Sequence, residues 1–565
     1  MLTISLVAAV MLMSASVQAQ STLQHRHSFF SSLPVEPTDE NFKVSRHQVQ
    51  VIGLDGFREW EVKGSLDGIL SPNVIPSKGP GSVHVQWFDS KAPLLRPPFT
   101  PTFVPGFHLA ISSEGFENTW NNLCPVLDDL VGGVDCKHTE EALESVSRTT
   151  VQAKDFVALH HHHYLHKATE PAGFLSSKST LASLISKQSG SSSGPALIDL
   201  VLQPSTTSPQ SIQFKLKAIW PVGSAGKDKD QKSVTVKFDE STDSVTEVGW
   251  FYREVTEKEN MQNDHFLGAT VRLDAKGEEV NEALILTSSP VFPPHKRDFS
   301  TGNIKSFGHG FSSTMSPPQT FHPHSITTIR SNPYIQKTTA GCDLHVLQVL
   351  PAGIFVDPFQ LESLAPEIGE SAVFGETDLE KPVGVVPGWG SLVLVKVQPE
   401  ESAKTSRWIP SEENATTNEK TATYTSTVDI PMHMRYQPPV AKEDPATHAQ
   451  VAVPWPIVAW TCPRPVPDES AAKKLFQISP LPLSLLFRKS LSEPDQETVD
   501  FRFLLPDPIP KTYPEASVSV PVGRLEDLEV VRTTTFVLAV VGTLSVAWAL
   551  VKAVTGRRTS KGKQD

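Results

Sequence analysis

Apolar and polar side chains alternate in short runs along much of this chain. Ser82–Phe88 (SVHVQWF), Ser211–Leu216 (SIQFKL) and Ser233–Phe238 (SVTVKF) show the pattern, and Ser391–Val397 (SLVLVKV) and Val499–Phe503 (VDFRF) are shorter forms of it. Successive side chains of an extended backbone point to opposite faces, so each run predicts a strand. The clearest element is Tyr424–Tyr436. Tyr424, Val428, Ile430, Met432, Met434 and Tyr436 fall on one face, with Ser426 the exception, and Thr425, Thr427, Asp429, His433, Arg435 and Gln437 fall on the other. Pro431 cannot donate to a ladder, which predicts an edge strand or a bulge there. Such an edge is also where another chain can pair.

Leu350–Leu361 (LPAGIFVDPFQL) reads as a turn, a short apolar strand and a helical turn. In that reading Asp357 is the N-cap, Pro358 the first helical residue and Gln360 the third position of a capping box. Val451–Pro463 (VAVPWPIVAWTCP) predicts one more strand, ending on a cysteine. Connectors lie at Gln188–Pro195, Ala225–Lys232 and Pro399–Lys420, and a helical piece is expected near Thr139–Ser147. The fold class is therefore mainly β, with antiparallel β-sandwich-like domains. The features are looser before residues 300–330 and denser after them. The expected division is an N-terminal β-rich region with long loops at 20–320 and a β domain at 321–525.

The two ends set an expected topology. Residues 1–21 carry no charged side chain and hold an apolar run from Ile4 to about Ala15. That run is too short for a bilayer, which needs ~20 apolar residues. With Val17-Gln18-Ala19 at a cleavable spacing, residues 1–19 read as a signal peptide. Thr533–Val551 is uncharged and long enough to span, and the basic residues Lys552, Arg557, Arg558, Lys561 and Lys563 follow it. The positive-inside rule makes 552–565 a cytosolic tail and the bulk of the chain luminal. Lys561 and Lys563, fifth and third from the end, resemble a dilysine retrieval signal of the endoplasmic reticulum.

Composition narrows the chemistry. The 47 prolines in 565 residues exceed the usual ~5% and disfavour long helices. A formal charge of −12 argues against a nucleic-acid partner. Cys124, Cys136, Cys342 and Cys462 form an even set, which in an oxidising lumen implies disulfides with three possible connectivities. Cys124–Cys136 would close a local loop, and Cys342–Cys462 would tie distant segments. No CxxC supports exchange chemistry, and Asn414-Ala415-Thr416 is the one glycosylation sequon. His160–His163 with His166 is the densest histidine cluster, but consecutive side chains diverge and no carboxylate sits at a zinc spacing. A solvated loop is the expected reading there, as it is for His309, His322 and His324. Asp228-Lys229-Asp230 spells a DxD inside a charge run and reads as a turn, and no nucleophile elbow is expected, since GSSSG at 190–194 falls inside the Gln188–Pro195 connector. Gly388-Trp389-Gly390-Ser391 marks a turn before a strand. No catalytic, metal or cofactor residue is expected.

Three segments taken together carry a resemblance. Cys342-Asp343-Leu344-His345 leads into LPAGIFVDPFQL; IPMHMRYQPP follows at 430–439; VAVPWPIVAWTCP precedes the apolar helix. This order and spacing resembles the PIG-X family and its fungal Pbn-type members over about 340–555, with Pro351, Asp357, Pro358, His433, Arg435, Tyr436, Pro454 and Cys462 at the shared positions. The resemblance implies a noncatalytic subunit in the endoplasmic reticulum membrane. Its partner would be the polytopic mannosyltransferase that adds the first mannose to glycosylphosphatidylinositol, using dolichol-phosphate-mannose. It implies nothing about residues 20–320. Two rivals of other classes are a general luminal chaperone and a luminal hydrolase. His433 and Arg435 stand as paired surface groups toward a partner or lipid phosphate, or as an ordinary polar strand face.

Overall fold

The computed structural model describes segments between Leu23 and Thr559. Residues 1–22, 67–81, 91–103, 150–161, 223–232, 254–264, 288–309, 398–408, 411–423, 464–498 and 560–565, with shorter breaks, lie outside the described residues. Strands dominate what is described. One sheet joins sixteen of them, from Glu279–Thr287 at one edge to Val499–Leu504 at the other. Its ladders are antiparallel except Leu23–Ser31 with Ser244–Arg253, which is parallel. Ser82–Phe88 and Val499–Leu504 are strands at the places alternation predicted.

The N-terminal and C-terminal halves share this sheet. Glu144–Thr149 pairs with His162–Lys167 on one side and with Gly369–Gly375 on the other. The core is continuous across that seam: Trp60, Trp120 and Leu200 belong to one apolar cluster with Leu347, Phe374 and Leu392. Tyr164 meets Trp389 edge-on at 5.1 Å between ring centroids. Hydrogen bonds and apolar packing thus both cross the compositional break near residue 320.

Two local expectations change. Expected as one strand, Val451–Pro463 is two in different sheets: His448–Pro454 pairs with Glu515–Pro521, and Ile457–Pro463 with Asp343–Pro351. Pro454 and Pro456 remove ladder donors at the corner between them, and Trp455 instead donates its N–H to Pro514 O at 3.0 Å. The helix near Thr139–Ser147 is Cys136–Ala142, and the chain re-enters a strand at Glu144. Leu143 already has an extended backbone.

A longer helix, Phe116–Val131, was not expected. Trp120, Leu123, Cys124, Leu127, Leu130 and Val131 are buried on its apolar stripe at helical spacing. Pro125 and three asparagines hid that period. Gly390 has φ 126°, a conformation other residues resist, and it begins Gly390–Val397 beside the Trp389 turn. The chain ends in a 32-residue helix, Leu528–Thr559, about 48 Å long at 1.5 Å per residue. The stretch Leu525–Thr555 is apolar and long enough to cross a membrane.

Candidate functional site

The expected strand Tyr424–Tyr436 becomes two pieces, and the change builds a node. Tyr424–Pro431 pairs with His324–Ser331, alternating until Ile430, with Ser426, Val428 and Ile430 buried. After Pro431 the ladder partner changes, and His433–Met434 pairs with Ile354–Phe355 in a separate two-residue ladder. Met432 and Met434 stay buried on the expected face, and the phase shifts by one residue only after Met434. Tyr436, expected on the apolar face, is 74% exposed, and Arg435, expected on the polar face, is 3% exposed.

Burial of Arg435 is affordable because its donors are used. Nη1 donates to the carbonyls of Asp378 and Lys381 (2.8 Å to the latter), and Nη2 to Glu376 O at 3.1 Å. Cζ lies 4.2 Å from the Phe355 ring centroid, a cation–π contact. Arg435 thus clamps the loop 376–381 from inside and is not a surface group. Arg435→Ala is expected to cost about 3 kcal/mol, because three carbonyls lose a charged donor. Lysine, with one ammonium in place of a planar fork, will not restore it. Thermal unfolding of the variant, together with faster cleavage after Glu380 by a glutamate-specific protease, checks both parts.

His433 stacks on Phe355 at 5.5 Å. Its Nε2 donates to Gln360 Oε1 at 3.0 Å, and its Nδ1 lies 3.1 Å from Nδ1 of His322. Burial and the neighbouring His322 hold His433 below the usual histidine range. Asp357 caps the helix Pro358–Ser363 by accepting from Phe359 N at 2.9 Å, with Pro358 in the first turn. Gln360 is turned to His433, so its side chain serves the node and not a capping box. His322 and His324, read as isolated, have partners: His322 with His433, and His324 Nδ1 with Asp429 Oδ1 at 2.8 Å.

A second constellation crosses the N-terminal half. Glu61, Lys217, Asp199, Gln86, His108 and His166 are direct cross-strand neighbours on six successive strands, and all are buried. Arg26 extends the row beside Glu61, and its Nε lies 3.9 Å from Glu247. Gln86 donates to Asp199 Oδ1 at 2.7 Å, and His84 binds the same oxygen. His108 Nε2 donates to Val104 O at 2.8 Å and its Nδ1 accepts from the Tyr164 hydroxyl at 2.6 Å, a neutral tautomer. Lys217 Nζ is 4.0 Å from Glu61 Oε2. Burial pulls the Lys217 ammonium down to about 8, pushes the Glu59 carboxyl up to about 7 and pulls His166 down to about 4. Burial alone would raise Asp199, but the charge and hydrogen bond of His84 outweigh it and hold it low. A one-residue slip would carry the whole row to the apolar face, so these groups lock register.

This row corrects the histidine reading. His162–Lys167 is a strand and not a solvated loop; His166 is buried, 4.6 Å from the His108 ring, and donates to Pro105 O at 3.1 Å. Cross-strand partners lie tens of residues apart, so no local pattern reveals them. Among the described residues, no three His, Cys, Asp or Glu side chains converge as a metal site.

The cysteines pair as Cys124–Cys136 and Cys342–Cys462. Pro351 and Pro454 each end a strand. Asn414, Lys561, Lys563, the signal-peptide segment 1–19 and Asp228-Lys229-Asp230 lie outside the described residues.

Residues 318–551 match the family model described as PIG-X / PBN1. The chain is 24% identical over 461 residues to a protein named Protein pbn1 from Emericella nidulans, covering 76% of this chain and 77% of that one. It is 22% identical over 482 residues to Protein PBN1 of Gibberella zeae, at 84% of each. Protein PBN1 of Yarrowia lipolytica is 29% identical over 224 residues, 38% of each chain. The matched span contains the Arg435 node, the Cys342–Cys462 bridge and the apolar helix. Residues 318–551 are thus identified as a PIG-X / PBN1 domain, and the chain resembles the fungal proteins of that name well beyond it.

Proposed function

We propose that this protein serves glycosylphosphatidylinositol-anchor biosynthesis as the noncatalytic, stabilising subunit of the mannosyltransferase that adds the first mannose. The carrying observation is the family domain joined to the one helix, among the described residues, that is long and apolar enough to span a membrane. A lipid-linked sugar donor requires an active site within the membrane, and one helix cannot enclose one; the catalytic centre then belongs to a polytopic partner. In this reading the protein is a type I protein of the endoplasmic reticulum with its β-rich bulk in the lumen. Residues 1–19 are cleaved, Asn414 is glycosylated, and Lys561 and Lys563 act in retrieval. The oxidising lumen also suits the two disulfides. Gly542, Ser545 and Ala549 lie nearly on one side of the helix, as close packing against other helices favours.

Depletion tests the reading directly. The level of the catalytic mannosyltransferase and the lipid precursors are followed in the same cells. The expected result is loss of the enzyme with accumulation of unmannosylated glucosaminyl-phosphatidylinositol. Normal enzyme and normal mannosylation would reject it in favour of a general chaperone.

A further inference from the structure

The Arg435 node presents an apolar face next to the base of the C-terminal helix. Leu379 is 57% exposed, Val385 61% and Tyr436 74%. Leu379 lies in the loop whose carbonyls Arg435 holds. Val385 lies in a turn whose first residue, Val383, donates its N–H to Tyr436 O at 3.2 Å. These side chains sit on backbone fastened by hydrogen bonds and, although the Tyr436 ring also meets Phe321 at 5.5 Å, they leave apolar surface in water.

The chain connects this face to the helix within a few residues. Four residues past Tyr436, Val440 N donates to Gly523 O at 3.0 Å, and Leu525 N donates to Val440 O at 3.1 Å. An extended chain covers at most about 14 Å in four residues. Leu525 and Leu528, at the foot of the helix, are also exposed. From Thr533, where the uncharged segment starts, Leu528 is five residues back, about 8 Å along a helix. That is about the depth of one interfacial layer.

We propose that Leu379, Val385 and Tyr436 form a foot by which the folded domain rests in the interfacial layer of the bilayer, beside its own membrane helix. The occupant is lipid. The helix holds this end of the domain at the membrane, and a tyrosine with a wet hydroxyl and an apolar ring suits the headgroup boundary. Glu376, Asp378, Glu380, Glu526, Asp527 and Glu529 outnumber Lys381, Arg524 and Arg532 in these segments, even with Arg524 paired to Glu526 and Lys381 to Glu376, so an electroneutral phosphatidylcholine surface is favoured over an anionic one. The inference rests on the reading that the helix spans a membrane.

All four cysteines of the chain are disulfide-bonded, so a single added cysteine takes a nitroxide label selectively. The full-length protein is reconstituted in phosphatidylcholine vesicles with a label at Leu379→Cys, Val385→Cys or Tyr436→Cys. Lys137→Cys, an exposed site on a helix of the N-terminal half, and Ala547→Cys, within the membrane segment, serve as references. Spin relaxation by oxygen, which partitions into lipid, is compared with relaxation by a water-soluble nickel chelate. The oxygen-to-nickel ratio at the three foot positions is expected to exceed that at Lys137 severalfold and to approach that at Ala547. A ratio equal to that at Lys137, with Ala547 in lipid, would overturn the foot while leaving the spanning helix intact. Low collision with both reagents would also overturn it, since a protein surface would then cover the face. A water-like ratio at Ala547 would remove the spanning helix and the foot with it.

Discussion

Removal of the long-range disulfide by Cys342→Ser with Cys462→Ser is expected to destabilise the protein by about 5 kcal/mol, against about 3 kcal/mol for Cys124→Ser with Cys136→Ser, on a chain-entropy account. The two bridges have the same chemistry and differ in what they constrain. Cys124 and Cys136 are 12 residues apart, both on helices. Cys342 and Cys462 are 120 apart and join adjacent strands, next to the Asp343–Thr461 pairing. Without the bridge the unfolded chain regains the freedom of the longer loop. The measurement is thermal unfolding of the full-length protein, with the two double variants compared on the same probe. Equal losses would show that local packing, and not loop closure, sets the contribution.

Lys217→Met is the second large effect, about 4 kcal/mol near pH 8, because removing one partner leaves buried charge uncompensated. Lys217 is 1% exposed between Glu61 and Asp199 on its neighbouring strands. Glu59 is fully buried, and neither of its carboxylate oxygens has a hydrogen-bond partner among the described residues. With the ammonium gone, the Glu59 carboxyl titrates still higher in the folded state. Glu59, already raised to about 7 from about 4.5, fixes the sign. A raised carboxyl contributes stability fully below its unfolded pKa and loses it as pH rises through its folded one. The gap between variant and parent should therefore be smaller at pH 5 than at pH 8. His166 and His108, lowered by burial, act oppositely: their contribution is present above about 6.5 and lost as pH falls, for His166 toward about 4. That behaviour is common to both proteins and cancels in the difference. Adding Glu61→Leu should return most of the stability, since an apolar pair fits where an ion pair did. A loss under about 1 kcal/mol at pH 8 would show that the row is not held as charges.

The node and the row divide the information between sequence and structure. Period-two alternation is local, so Ser82–Phe88 and Tyr424–Ile430 were legible as strands, and Asp357-Pro358 as a helix start. The uncharged stretch at 533–551 was equally legible, because crossing a bilayer demands only length and apolarity. The even cysteine count implied bridges but left three pairings open, since pairing depends on which segments fold together.

Tertiary structure decided the rest. It turned Arg435 inward, because a phase shift after Met434 and three waiting carbonyls let a guanidinium be buried. It took His166 into a strand and set it against His108, 58 residues earlier in the chain, and it aligned Glu61 with Lys217 and Asp199. Each of these choices rests on hydrogen bonds between residues far apart in sequence. A chain read from end to end shows which residues prefer to be extended, capped or dry; only the folded sheet decides which of them meet.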